Sequence, residues 1–267
     1  MDRTPAVAGT FYPGTREELE DAVASLMGEA EKSPALGVVS PHAGYVYSGS
    51  VAGAVFSKTV VPDVCVILAP NHTGTGDAAF AVWADGKWLM PMGDVFVEEG
   101  FARKLLQACS AAAADESAHV REHSAEVQVP FLQAANPSVR IVPVVISSHN
   151  LAALQEFGKS LAGVIQDTAG DVLVVASSDM THYEDQETAR TKDQLAIDTI
   201  LALDEKELLR VVVENRISMC GVAPTVAMLT CCRALGAREA TLITYQTSGD
   251  VTGDVAQVVG YAGLVVR

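Results

Sequence analysis

Four short apolar runs recur along the chain, each closing on a polar turn: "LGVVS" at 36–40, "DVCVILAP" at 63–70, "RIVPVVIS" at 140–147 and "DVLVVASSD" at 171–179. Runs this short, rich in valine and isoleucine and apolar at every position, read as strands buried on both faces. Between and after them lie segments with apolar residues at helical spacing: "TREELEDAVASLMGEA", "SVAGAVFSKTV", "EEGFARKLLQAC", "NLAALQEFGKSLAGVIQ", and the stretches 188–203, 204–215 and 223–235. "ATLITYQTS" and "VAQVVGYAGLVVR" read as closing strands. Buried strands alternating with helices predict an α/β fold: one domain over residues 1–267, with a central, largely parallel mixed sheet and helices on both faces. Thr15 and Glu18 have the spacing of a capping box for the first helix. "AFAVWADGKWLM" alternates about Asp85-Gly86, which predicts a β-hairpin.

The bulk properties narrow the function. The 267 residues are 49% hydrophobic, enough for a large core, and carry a formal net charge of −15. A nucleic-acid backbone would be repelled, and no Lys/Arg cluster offsets that, so no nucleic-acid partner is expected. The opening residues lack a basic segment followed by an apolar one, so no secretory leader is expected. No apolar run approaches the ~18 residues that cross a bilayer, so no membrane role is expected either. Five cysteines without regular spacing fit reduced thiols in a cytoplasm. Cys65, Cys231 and Cys232 sit in apolar segments and are expected to be core residues.

In open α/β sheets, ligands bind beyond the carboxyl ends of the strands. Three of the six histidines follow such strands: His42 in "SPHAGYVYSG", His72 in "APNHTG", and His182 in "SSDMTHY" together with Asp179. One such histidine is ordinarily a surface or turn residue. Three at the same edge of a parallel sheet point to a shared site. "REHSAEVQVPF" sets His123 and Glu126 at i and i+3, on one face of a helix if it is helical, although an exposed helix start has the same pattern. "ISMCGVAP" puts Cys220 at a helix start, where the dipole favours the thiolate, although a free cysteine is more often a small buried hydrophobe.

Two imidazoles with a thiolate or a carboxylate make a three-ligand metal site with open positions. With a carboxylate this is the non-haem iron arrangement, and with a thiolate it suits zinc or iron. A copper site with Met219 as a weak axial ligand is a further arrangement. The remaining histidines would then be free to move protons near neutrality. Other chemistries lack an anchor, since no GxSxG, P-loop or GxGxxG motif is present.

"TPAVAGTFYPG", "PHAGYVYSG", "APNHTG", "EHSAEVQVPFL", "SSDMTHY" and "MCG" occur in this order. Together they resemble the Memo family, in its prokaryotic form called AmmeMemoRadiSam system protein B, and the resemblance runs nearly end to end. It implies a fold similar to the class III extradiol dioxygenases. It implies His42, His72 and Cys220 as metal ligands, where those dioxygenases use a carboxylate in place of the cysteine. It further implies catalytic roles for Asp179, His182, His123 and Glu126, the metal being iron or copper, with zinc a third candidate. The implied function is a cytoplasmic, metal-dependent oxidoreductase acting on a small-molecule or peptide substrate, with radical-SAM and AMMECR-type partner proteins. A non-catalytic metal- or peptide-binding partner protein is the alternative, and a metallohydrolase the third reading.

Overall fold

The strand-forming runs lie side by side. The structure, a computed structural model, describes residues 2–267. In chain order its elements are α1 (Arg16–Met27), β1 (Gly37–Ser40), α2 (Tyr45–Ser57), β2 (Val64–Pro70), β3 (Phe80–Val82), β4 (Lys87–Trp88), β5 (Val95–Phe96), α3 (Glu99–Ala108), β6 (Ala112–Ala114), α4 (Val129–Ala135), β7 (Arg140–Ile146), α5 (Leu151–Gln166), β8 (Val172–Ser177), β9 (His182–Glu184), α6 (Gln186–Leu201), α7 (Glu205–Glu214), α8 (Val222–Ala234), β10 (Ala240–Thr247), α9 (Ser248–Thr252) and β11 (Val258–Val266). Short 3₁₀ turns span Glu116–Ala118 and Glu126–Gln128.

The main sheet runs β10-β11-β1-β8-β2-β7-β3-β6, with β9 added alongside β11. Its centre, β1-β8-β2-β7, is parallel throughout, and antiparallel pairs flank it at β1/β11 and β3/β7. Side chains alternate between the faces with a period of two. Cys65, Ile67, Leu173 and Val175 pack with Leu19, Phe56 and Phe131 beneath α1, α2 and α4. Val66, Leu68, Val174 and Ala176 pack on the other face with Phe157, Leu161, Val226 and Leu229 from α5 and α8. That two-sided burial explains why these strands carry no polar alternation. Cys65, Cys231 and Cys232 are buried in this core, as expected. No helix among the described residues is long and apolar enough to cross a membrane.

Two local expectations are corrected. Asp85-Gly86 does not close a hairpin, because β3 pairs with β7 and β6 while β4 pairs with β5. Phe80, Ala81 and Val82 are all fully buried, so β3 is a core strand claimed by long-range neighbours rather than one arm of a half-exposed ribbon. α1 begins where expected, but the Thr15 hydroxyl donates to the Glu18 carboxylate (2.7 Å) and caps no backbone N–H. The capping box proper is at Thr247 and Asp250, opening α9.

Because β1, β2 and β8 are parallel, their carboxyl ends share one edge. Ser40, Pro70 and Ser177 end these strands, and the turns that follow carry His42, His72 and Asp179.

Candidate metal centre

His42, His72 and His123 meet at that edge, offering one nitrogen each, all within 4.8 Å of one another. The His72 and His123 rings stack with centroids 4.8 Å apart, and the His42 ring stands edge-on to both at 5.2 and 5.5 Å.

The surrounding hydrogen bonds assign two tautomers. His42 Nδ1 lies 2.9 Å from Ser177 Oγ. The Ser177 hydroxyl gives its one hydrogen to the Ser124 carbonyl (2.7 Å) and also accepts from Gln128 Nε2 (2.8 Å). The His42 bond must therefore be donated by the ring, which leaves Nε2 with its lone pair free. Glu122 does the same for His72. Its carboxylate accepts the backbone N–H of His72 at 2.6 Å and ring Nδ1 at 2.9 Å. A carboxylate only accepts, so His72 carries a proton on Nδ1 and turns its Nε2 outward. The Nδ1 of His123 lies 3.5 Å from the same Glu122 oxygen, and its ring packs on Phe11 at 4.8 Å.

Charge follows from burial. His42 is held below its ordinary range, first by burial and then by the neighbouring His123 and His72. Burial likewise lowers His123. For Glu122 burial pushes upward, but the bonds from His72 and Ser124 outweigh it and bring the carboxyl down to about 2. The arrangement is an ionised carboxylate beside two imidazoles, His42 and His123, whose charging burial opposes, and neutral imidazole is the form that ligates a metal.

The other expected site residues are placed differently. Cys220 Sγ is 3.3 Å from His42 Nε2 and accepts the Asp179 N–H at 3.3 Å, so it borders the cluster through His42. The third atom of the nitrogen cluster is His123, expected as a proton carrier, where Cys220 was the expected ligand. The thiol is pushed up by burial and then by the Asp179 carboxylate, which overturns the expectation of a dipole-favoured thiolate. Asp179 accepts the His42 backbone N–H at 2.8 Å, and burial raises it to about 6. His182 stands on the rim in β9, its Nδ1 3.0 Å from the Ser218 carbonyl. Glu126 does not share a helical face with His123, because the 3₁₀ turn starts only at Glu126. Its buried carboxylate instead takes Arg3, the N–H groups of Ala6 and Val7, and the Tyr12 hydroxyl.

Sequence reasoning missed Glu122, Ser177 and Gln128, the groups that orient the imidazoles. The one available signal was Glu122 directly before His123 in "REHSAE". A cavity of about 440 Å³ opens beside His72 and Cys220, with Asn71, Ser147 and His149 as its polar wall.

The geometry can be set beside known proteins. A family model described as Memo-like protein matches residues 3–265. A MEMO1 family protein of Methanopyrus kandleri is 43% identical over 100% of this chain and 99% of its own length. One from Aquifex aeolicus is 40% identical over 98% of each chain. The crystal structure of an uncharacterized Escherichia coli K12 protein superposes with a TM-score of 0.57 at 14% identity, covering 86% of this chain and 98% of that one, which is a likeness of fold. With one family matched almost from end to end, and full-length relatives at 40% identity or more, the chain belongs to the Memo family.

Proposed function

We propose that this protein binds one metal ion through His42, His72 and His123 and works as a metal-dependent oxidoreductase. The observation that carries the reading is the pair of hydrogen bonds that place a proton on Nδ1 of both His42 and His72, so that each ring turns Nε2 toward the cluster. Imidazole nitrogens suit iron, copper and zinc alike, so the donor set fits the metals expected from the sequence. Such an ion, when bound, supplies Lewis acidity and open positions for a substrate or oxygen.

The protein's own groups have separable parts in this reading. Glu122 and Ser177 hold the imidazoles in the ligating tautomer. Cys220 can add a fourth donor beside His42 once it gives up its proton. Asp179, raised to about 6 by burial, is suited to move protons near neutrality, and His182 on the rim is the second proton carrier of this reading. Radical-SAM and AMMECR-type proteins stand as proposed partners on the family resemblance alone.

The test is anaerobic purification followed by elemental analysis, with wild type, His42→Ala, His123→Ala, Cys220→Ala and His182→Ala side by side. His42→Ala and His123→Ala should lose the metal, Cys220→Ala should bind it more weakly, and His182→Ala should keep it. A full equivalent in His123→Ala would sink the three-histidine assignment. Metal retention with no oxygen uptake, with either a catechol or a peptide substrate, would remove the oxidoreductase part and leave a metal-binding protein.

A further inference from the structure

Residues 3–12 are fastened to the loop that carries the metal-site groups. Arg3 Nη1 meets Glu126 at 2.7 Å, while its Nε donates to the His119 carbonyl at 2.9 Å and its Nη2 to the Glu122 carbonyl at 2.7 Å. Glu126 also accepts the Ala6 and Val7 N–H groups and the Tyr12 hydroxyl, at 2.7, 3.1 and 2.6 Å. Arg3 and Glu126 are almost entirely buried, and the guanidinium lies 4.2 Å over the Trp88 ring. At the far end of the segment, Phe11 packs on His123.

A buried ion pair is a poor device for stability alone, because desolvation offsets most of its Coulomb attraction. What a forked guanidinium provides is fixed geometry. Here that geometry converges on one residue. Arg3 holds the Glu122 main chain, and the Glu122 side chain holds the His72 ring.

We propose that Arg3, Glu126 and Tyr12 form a positioning clamp for the metal centre, delivering the Glu122 carboxylate to His72 and setting His123 against Phe11. The clamp makes the N-terminal segment part of the site. Its effect on metal binding rests on the three-histidine reading above, whereas its effect on the His72 tautomer does not.

The experiment therefore has two readouts. One is imidazole ¹⁵N NMR of the metal-free protein, which reports the His72 tautomer. The other is Co(II) binding followed by its visible spectrum. Arg3→Lys is the main variant, because one ammonium cannot reach three acceptors in a fork. It should let His72 sample the Nε2–H form and raise the Co(II) Kd by about tenfold or more. Tyr12→Phe removes a single hydroxyl from Glu126 and should raise Kd by about two- to fivefold. Leu161→Ala, on the core face of α5, is the control for plain destabilisation. It should lower the melting temperature and move neither readout.

If Arg3→Lys fails to fold, Tyr12→Phe decides. Wild-type tautomer and Kd in both clamp variants, or an equal shift in Leu161→Ala, would overturn the clamp. A wild-type protein that ignores Co(II) would overturn the metal reading, and the NMR signals would still show whether Arg3 sets His72.

Discussion

Tyr183 has a backbone φ of 59°, in the left-handed region, with 74% of its side chain exposed. The pairing of β9 with β11 slips between Val258 and Val259, so Tyr183 is the extra residue of a bulge. A side chain with a Cβ pays about 1–2 kcal/mol for that conformation, and an exposed ring recovers little of it by packing. Tyr183→Gly should therefore melt above Tyr183→Ala by roughly 2–4 °C in a chain of this size. Equal melting temperatures in thermal scans would show that the bulge carries no strain. Nothing in "THYED" signals a positive φ at tyrosine, and the same limit applied at the metal site. His42, His72 and His123 were legible because each stands in a short motif. Their partners were not, because the contacts that matter are remote in sequence: Ser177 reaches His42 across 135 positions, and Arg3 reaches Glu126 across 123. The tautomers follow only from those contacts.

Elements were read well where burial is two-sided and poorly where a local signal competed with a distant partner. β1, β2, β7 and β8 were plain in the sequence because their composition reflects burial on both faces. β3 was misassigned because Asp85-Gly86 is a strong turn signal, yet the buried edge of β7 offered Phe80–Val82 a better partner. The junction of β8 with α8 shows how closely such elements meet. Gly221, the residue before α8, sits so near β8 that a Cβ there would run into the Ser177 carbonyl and the Ser178 side chain. Gly221→Ala must push the start of α8 away from the sheet and take Cys220 with it. The expected cost is about 1–3 kcal/mol in urea unfolding, the range for overpacking a tight contact. Cys220 should also react faster with a thiol reagent, since the other four cysteines are buried. Unchanged stability and unchanged thiol reactivity would mean that the junction relaxes freely.

At the scale of the whole molecule, two electrostatic effects oppose each other as pH falls. His42 and His123 are lowered, first by burial, and burial brings His119 down to about 4, against roughly 6.5 in an unfolded chain. Well above pH 6.5 these histidines are neutral in both states and contribute nothing. Below it the unfolded chain takes up protons that the fold refuses, so stability falls, for His119 down to about pH 4. Asp179, raised to about 6, and Asp193, also raised by burial, have the opposite sign. The fold protonates them before the unfolded chain does, which adds stability as pH drops through their range. Three histidines against two aspartates leave a net loss between pH 7 and 5, each net proton taken up by the unfolded chain counting for ~1.4 kcal/mol per pH unit. The formal charge of −15 works against that loss, because approaching the pI of 4.7 relaxes the general repulsion. Salt separates the two effects. In ~0.5 M NaCl the screening length falls well under the ~8 Å of physiological salt, so surface repulsion fades while the buried groups still titrate. Urea unfolding of the metal-free protein should accordingly show a larger drop from pH 7 to 5 in ~0.5 M NaCl than in ~0.01 M, where the screening length is about 30 Å. A flat or rising stability at high salt would mean that the buried imbalance is wrong. An equal drop at both salts would mean that the net charge of the surface has little hold on this fold.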